Sequence, residues 1–139
     1  MSADVLGGID YGKLKIVLYE QLQKLEILAE GSDVSVDGGS TVYLPDSGGV
    51  DVSSYKTKSV LFWTDWGDGS TSGFQVEYQI SDDGTFTDNP ALKTVDKTTA
   101  NTLDGIQTQM EFKYLRIKVY NPDSVSHTVK KYSIKGRMI

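Results

Sequence analysis

The sequence predicts a mainly β fold: an antiparallel, jelly-roll-like β-sandwich preceded by one N-terminal helix. Three observations point there. From Gly31 onward apolar and polar residues alternate with a period of two, as on half-buried strands. The alternating runs are separated by glycine- and aspartate-rich stretches with turn chemistry. Helical periodicity is confined to residues 13–30, so strands do not alternate with helices, and this favours an antiparallel sandwich over a parallel sheet.

The helix is read over "KLKIVLYEQLQKLEILAE", residues 13–30. Leu18, Leu22, Leu25 and Ala29 step by the spacing of one helix face, Asp10 is a plausible N-cap and Gly31 a stop. Ile16, Val17, Tyr19, Ile27 and Leu28 widen the apolar arc, which then needs a partner surface. The chain divides accordingly into an arm and helix at 1–31 and a sandwich at 32–139.

The strands follow in order. "SDVSVDGGSTVYLPDSGG" alternates and is broken at Gly38-Gly39 and over Pro45 to Gly49. "KSVLFWTDW", 58–66, is rich in β-branched and aromatic residues. In "FQVEYQIS", 74–81, Phe74, Val76, Tyr78 and Ile80 face one way, and Gln75, Glu77 and Gln79 the other. "FKYLRIKVY", 112–120, places Leu115, Ile117 and Val119 inward, with Tyr114, Arg116 and Lys118 outward. In "HTVKKYSIKGRM", 127–138, the alternation slips between Val129 and Tyr132, as a β-bulge would make it do.

Composition narrows the chemistry. There is no cysteine and one histidine, His127. A thiolate site, a cysteine nucleophile and a multi-histidine zinc site are therefore impossible within one chain. His127 itself reads as a polar residue at a strand start. A net charge of −5 argues against nucleic acid as the main partner. No apolar window approaches the ~18 residues of a membrane span. The N-terminus lacks the pattern of a secretory signal. No nucleotide-binding motif is present.

Two acidic-glycine stretches invite a metal or catalytic reading. Ser81-Asp82-Asp83-Gly84 follows a clean strand, and Asp-Gly is a strong hairpin signal, so the turn reading is preferred. "TDWGDGSTSG", 64–73, is similar to the acidic turn of PKD-type sandwich domains. Asp65, Asp68, Asp82 and Asp83 remain candidates for converging on calcium, but no EF-hand ligand spacing is present. The expectation is no catalytic residues, no bound metal and no cofactor. Trp63, inside a strand, reads as core.

The blocks "DVSSYKTKSVLFWT", "FQVEYQISDDGTFTD" and "FKYLRIKVYNPDSVSHTVKKYSIKGRM" resemble the β-sandwich modules of tailed-bacteriophage virion proteins. The resemblance rests on Ser81 to Phe86, Tyr114 to Val119, and Asn121 to Val129, and covers about residues 50–139. A "Tyr-x-Arg-Ile" strand near the C-terminus is also found in discoidin-like, galactose-binding jelly rolls. Their ligand loops are not recognisable here. What the resemblance implies is a non-enzymatic structural virion protein. It would be made in the host cytoplasm, decorate a capsid or tail surface beside a major capsid or tail protein, and form homo-oligomers, of which trimers are common.

In that reading Val17, Leu18, Leu22, Leu25 and Leu28 form the oligomer or attachment interface. The alternative is a carbohydrate-binding module or host-surface adhesin. Sugar faces stack on aromatic rings, and Trp66, Tyr43 and Tyr55 are the candidate contacts.

Overall fold

The computed structural model describes residues 5–6, 9–10, 13, 15, 20, 23–66, 73–86 and 91–139. The strands are β1 (Val5–Leu6), β2 (Ile9–Asp10), β3 (Glu26–Val36), β4 (Thr41–Leu44), β5 (Val50–Asp51), β6 (Thr57–Asp65), β7 (Gln75–Ser81), β8 (Ala91–Val95), β9 (Asn101–Thr108), β10 (Tyr114–Tyr120) and β11 (His127–Arg137). Among the described strands β1 and β2 pair only with each other. The rest build two antiparallel sheets. The front sheet runs β4-β10-β7-β8, with β5 also paired to β10. The back sheet runs β3-β11-β6-β9. The mainly β, antiparallel sandwich is thus as expected.

The period-two pattern sets the core. Leu115, Ile117 and Val119 of β10 pair with Ile80, Tyr78 and Val76 of β7, and the row faces inward. From the back sheet Val60, Phe62, Val129, Tyr132 and Ile134 meet it. β11 shifts register against β6 between Val129 and Lys131, so the bulge read from the slipped alternation is present. The extra residue lets Val129 and Tyr132 both turn inward.

The helix expected over 13–30 is corrected at its C-terminal end. Glu26 to Glu30 are strand, paired to β11 through Ala29↔Ile134 and Ile27↔Lys135. Helical spacing is a weak prior, and the open flank of β11 offers this stretch a full backbone ladder. No helix stands among the described elements. Lys13, Lys15, Glu20 and Gln23 have helical backbone, and the other residues of 13–23 lie outside the described residues.

Two further differences matter. β8 begins at Ala91, so the Asp-Gly turn does not lead directly from β7 into a paired strand. Phe86, before it, is instead buried on the outside of the front sheet over Arg116. β9 was not expected at all. Its sequence NTLDGIQT holds Asn, Asp and Gly, residues depleted in strands, and only Ile106 gives its inner face an apolar side chain.

Candidate ligand-binding face

Register places the outward side chains of the front sheet in three cross-strand rows. Arg116 lies opposite Gln79. Lys118 lies opposite Tyr43 on one side and Glu77 on the other, and Glu77 lies opposite Thr94. Tyr120 lies between Thr41 and Gln75. The last two rows, without Tyr43 but with Asp96 just past β8, line an open trough of about 560 Å³.

The first row braces the second. Arg116 is held between the rings of Tyr43 and Phe86, its guanidinium carbon 4.0 and 4.1 Å from their centroids. It donates to Ser47 O at 2.6 Å and to Gln79 Oε1 at 2.8 Å. That fixes the Gln79 amide, whose Nε2 reaches Glu77 Oε2 at 3.4 Å. Lys118 Nζ approaches the same oxygen at 3.5 Å. Glu77 is therefore oriented by a chain of polar contacts running from one edge of the sheet. Gln79, outward as expected, is nonetheless buried, because Arg116 and its aromatic neighbours cover it. Burial lowers the pKa of Arg116 from its ordinary value.

The aromatic candidates separate. Tyr43 is on this face. Trp66 is not an open platform: it stacks on His127, packs edge-on against Phe74, and its indole Nε1 is buried. Tyr55 belongs to a different groove, toward the opposite end of the sandwich, beside Lys58, Asp82 and Phe112. Its hydroxyl donates to Glu26 Oε2 at 2.7 Å, which raises its pKa, and its ring packs over Gly136. Trp63 reverses its expectation. Val60, Phe62 and Thr64 point inward, so Leu61 and Trp63 point outward from the back sheet. Tyr120 was missed, although the outward parity read for Tyr114, Arg116 and Lys118 leads to it.

Of the proposed attachment residues, Val17, Leu18 and Leu22 lie outside the described residues. Leu25 is exposed, and Leu28 is partly buried and packs against the core.

The acidic turn has a structural account. Gly84 takes φ 89°. Asp83 Oδ1 accepts from Thr85 N at 2.8 Å, and Ser81 Oγ lies 2.9 Å away. These contacts hold the Asp83 carboxyl below its ordinary pKa, the Thr85 amide most of all. Asp68 lies outside the described residues. Among the described residues no three His, Asp or Glu side chains group as a metal site would need.

His127 is structural in its contacts. It is buried at the start of β11, with Nε2 2.9 Å from Asp123 Oδ2. Buried Asn121 ties the same corner together, donating to Val36 O and Val125 O.

No family model matches the chain, and no curated protein does. Among solved structures it is similar to a pilus protein of Bacillus endospore appendages (10% identity, 80% of this chain and 90% of that one, TM-score 0.42). It is also similar to a family 35 carbohydrate-binding module from Clostridium thermocellum (13% identity, 81% and 98%, TM-score 0.38). A third likeness is to xylanase 10B of the same organism, CBM22-1 and GH10 modules with xylohexaose (15% identity, TM-score 0.35). There the match takes in 73% of this chain and only 17% of that one. These likenesses are of shape, and the chemistry of the site rests on its own side chains.

Proposed function

We propose that the protein is a carbohydrate-binding module whose ligand lies along the outer face of the front sheet. The observation that carries this is the trough itself. An aromatic ring, Tyr120, stands beside a carboxylate, an amide and two hydroxyls on rigid strands: Glu77, Gln75, Thr41 and Thr94. Sugars ask for this combination, an apolar ring face to stack on and fixed donors and acceptors for hydroxyl pairs. The lining holds Glu77 and Asp96 against one cation, Lys118, so neutral oligosaccharides fit better than acidic ones.

A glycan array probed with the full chain tests the reading. Binding of neutral oligosaccharides should be lost in Tyr120→Ala and weakened in Glu77→Gln, with unfolding temperatures unchanged. Tyr55→Ala, in the other groove, should bind as the parent does. No binding by the parent, or parental binding by Tyr120→Ala, would remove the proposal. Less supports the capsid-decoration role: of its two described interface residues, Leu25 is exposed and Leu28 packs against the core.

A further inference from the structure

We propose that β9 is a docking edge for a second copy of this chain, and that two β9 strands pair antiparallel to join two back sheets into one. Among the described strands β9 pairs with β6 and with nothing on its other side. It is eight residues long. Trp66 N donates to Ala100 O and Thr102 N to Thr64 Oγ1, so even-numbered positions direct their backbone groups toward β6. The amides and carbonyls of Leu103, Gly105 and Gln107 therefore point away from the sheet.

The other free edges are guarded, as exposed edges of monomers usually are. β3 carries exposed Glu26, Glu30 and Asp33, and Asp33 breaks the edge with φ 53°. β4 has four residues and runs into Pro45. β8 has five, with a register shift against β7. β9 has no proline, no lysine and no described bulge. Its one charge, Asp104, is bound to Lys93 and Tyr78 across the sandwich. Leu103 stands beside this edge at 71% exposure.

The sequence of β9 is compatible with itself, which a two-fold interface requires. Centred on Gly105, antiparallel pairing sets Leu103 opposite Gln107, two residues whose backbone groups face the free edge. It sets Thr102 opposite Thr108 and Asp104 opposite Ile106, so no like charges meet. The facing glycines leave a space that the two Leu103 side chains flank. Leu61 and Trp63, outward on β6, extend the apolar surface in each copy.

Mass in solution across a range of concentrations, combined with amide hydrogen exchange, tests this. The full chain should sediment at twice its 15.3 kDa mass. The amides of Leu103, Gly105 and Gln107 should be protected in the dimer and exchange freely on dilution. Leu103→Lys and Gln107→Pro each act on the free side of the strand and should yield monomers. A parent that stays monomeric overturns the proposal, as does a dimer that survives both substitutions. Protection of those three amides in a monomer also overturns it, because another segment would then hold the edge.

Discussion

Trp66 lies flat on His127, ring centroids 4.4 Å apart and planes inclined by 15°. The pair joins the end of β6 to the start of β11, and Phe74 closes it from the side, 5.1 Å from Trp66 and 6.2 Å from His127. One corner of the sandwich is thus sealed by three rings. Asp123 and Asn121 hold the loop on which one of them enters.

Trp66→Ala should accordingly destabilise the fold, by about 3 kcal/mol, since it opens a cavity among rings that cannot collapse. Glycan binding at the Tyr120 trough should persist below the lowered melting temperature. Chemical denaturation and glycan binding on the same variant measure both. Loss of binding at undiminished stability would return Trp66 to the role of ligand contact.

Gly84→Val should cost roughly 1 to 3 kcal/mol. An added Cβ would meet only Tyr114, at 3.8 Å, so the penalty is one of backbone conformation rather than space. Asp83→Asn should leave thermal unfolding at neutral pH unchanged, because an amide oxygen can accept from Thr85 equally well. In acid the two chains should differ. The folded-state pKa of Asp83 is lowered from 3.8, so its contribution is present above that value and lost as pH falls through the folded pKa. The asparagine variant should show a shallower acid decline.

Much of the sandwich was legible because its central strands obey a strict alternation. Val76, Tyr78, Leu115, Ile117 and Val119 are wholly buried, and the slip before Tyr132 is a true bulge. What escaped is what alternation does not encode. β9 gives most of its inner face to Thr102, Asp104 and Thr108, of which Asp104 bonds across to the front sheet while the two threonines bond to nearby backbone and hydroxyl groups. Glu26 to Gly31 has helical spacing and becomes strand only because β11 lies open beside it. Trp63 and Trp66 are three residues apart, and their contrast turns on the parity of β6 and on where that strand ends. The candidate face was only half readable. Tyr43 was singled out for its chemistry, whereas the trough depends on register, which brings residues 41, 77, 94 and 120 together from four strands.

The contact between Tyr78 and Asp104 should govern stability in base. Tyr78 is in the core, and its hydroxyl donates to Asp104 Oδ2 at 2.5 Å. Burial foremost, then this hydrogen bond, raises its pKa far above 10.0. The unfolded chain loses this proton near pH 10 while the folded chain keeps it. Stability should therefore fall as pH rises above about 10. Tyr78→Phe should cost about 1 kcal/mol at neutral pH and flatten the basic decline. Lys58, whose pKa burial lowers, acts in the opposite sense in both chains, so their difference isolates Tyr78. Equal slopes would mean that the proton is not retained.

The last prediction concerns where the sandwich begins. β3 pairs with β11 through Gly31↔Tyr132, Glu30↔Ser133, Ala29↔Ile134, Ile27↔Lys135 and Glu26↔Gly136. A chain starting at residue 32 would lack all five positions. It would uncover Tyr132 to Gly136 on one side of β11, remove Leu28 and Ala29 from the core margin, and take away the Glu26 carboxylate that Tyr55 donates to. A chain starting at residue 25 would keep them all. The shorter fragment should unfold at a markedly lower temperature or fail to stay in solution. The longer one should unfold cooperatively near the parent's temperature, because the core between the sheets draws no described side chain from before Leu28. Thermal unfolding of the two fragments beside the parent decides it. If both fail, residues before 25 contribute to the core; if both fold alike, the first half of β3 adds nothing to stability.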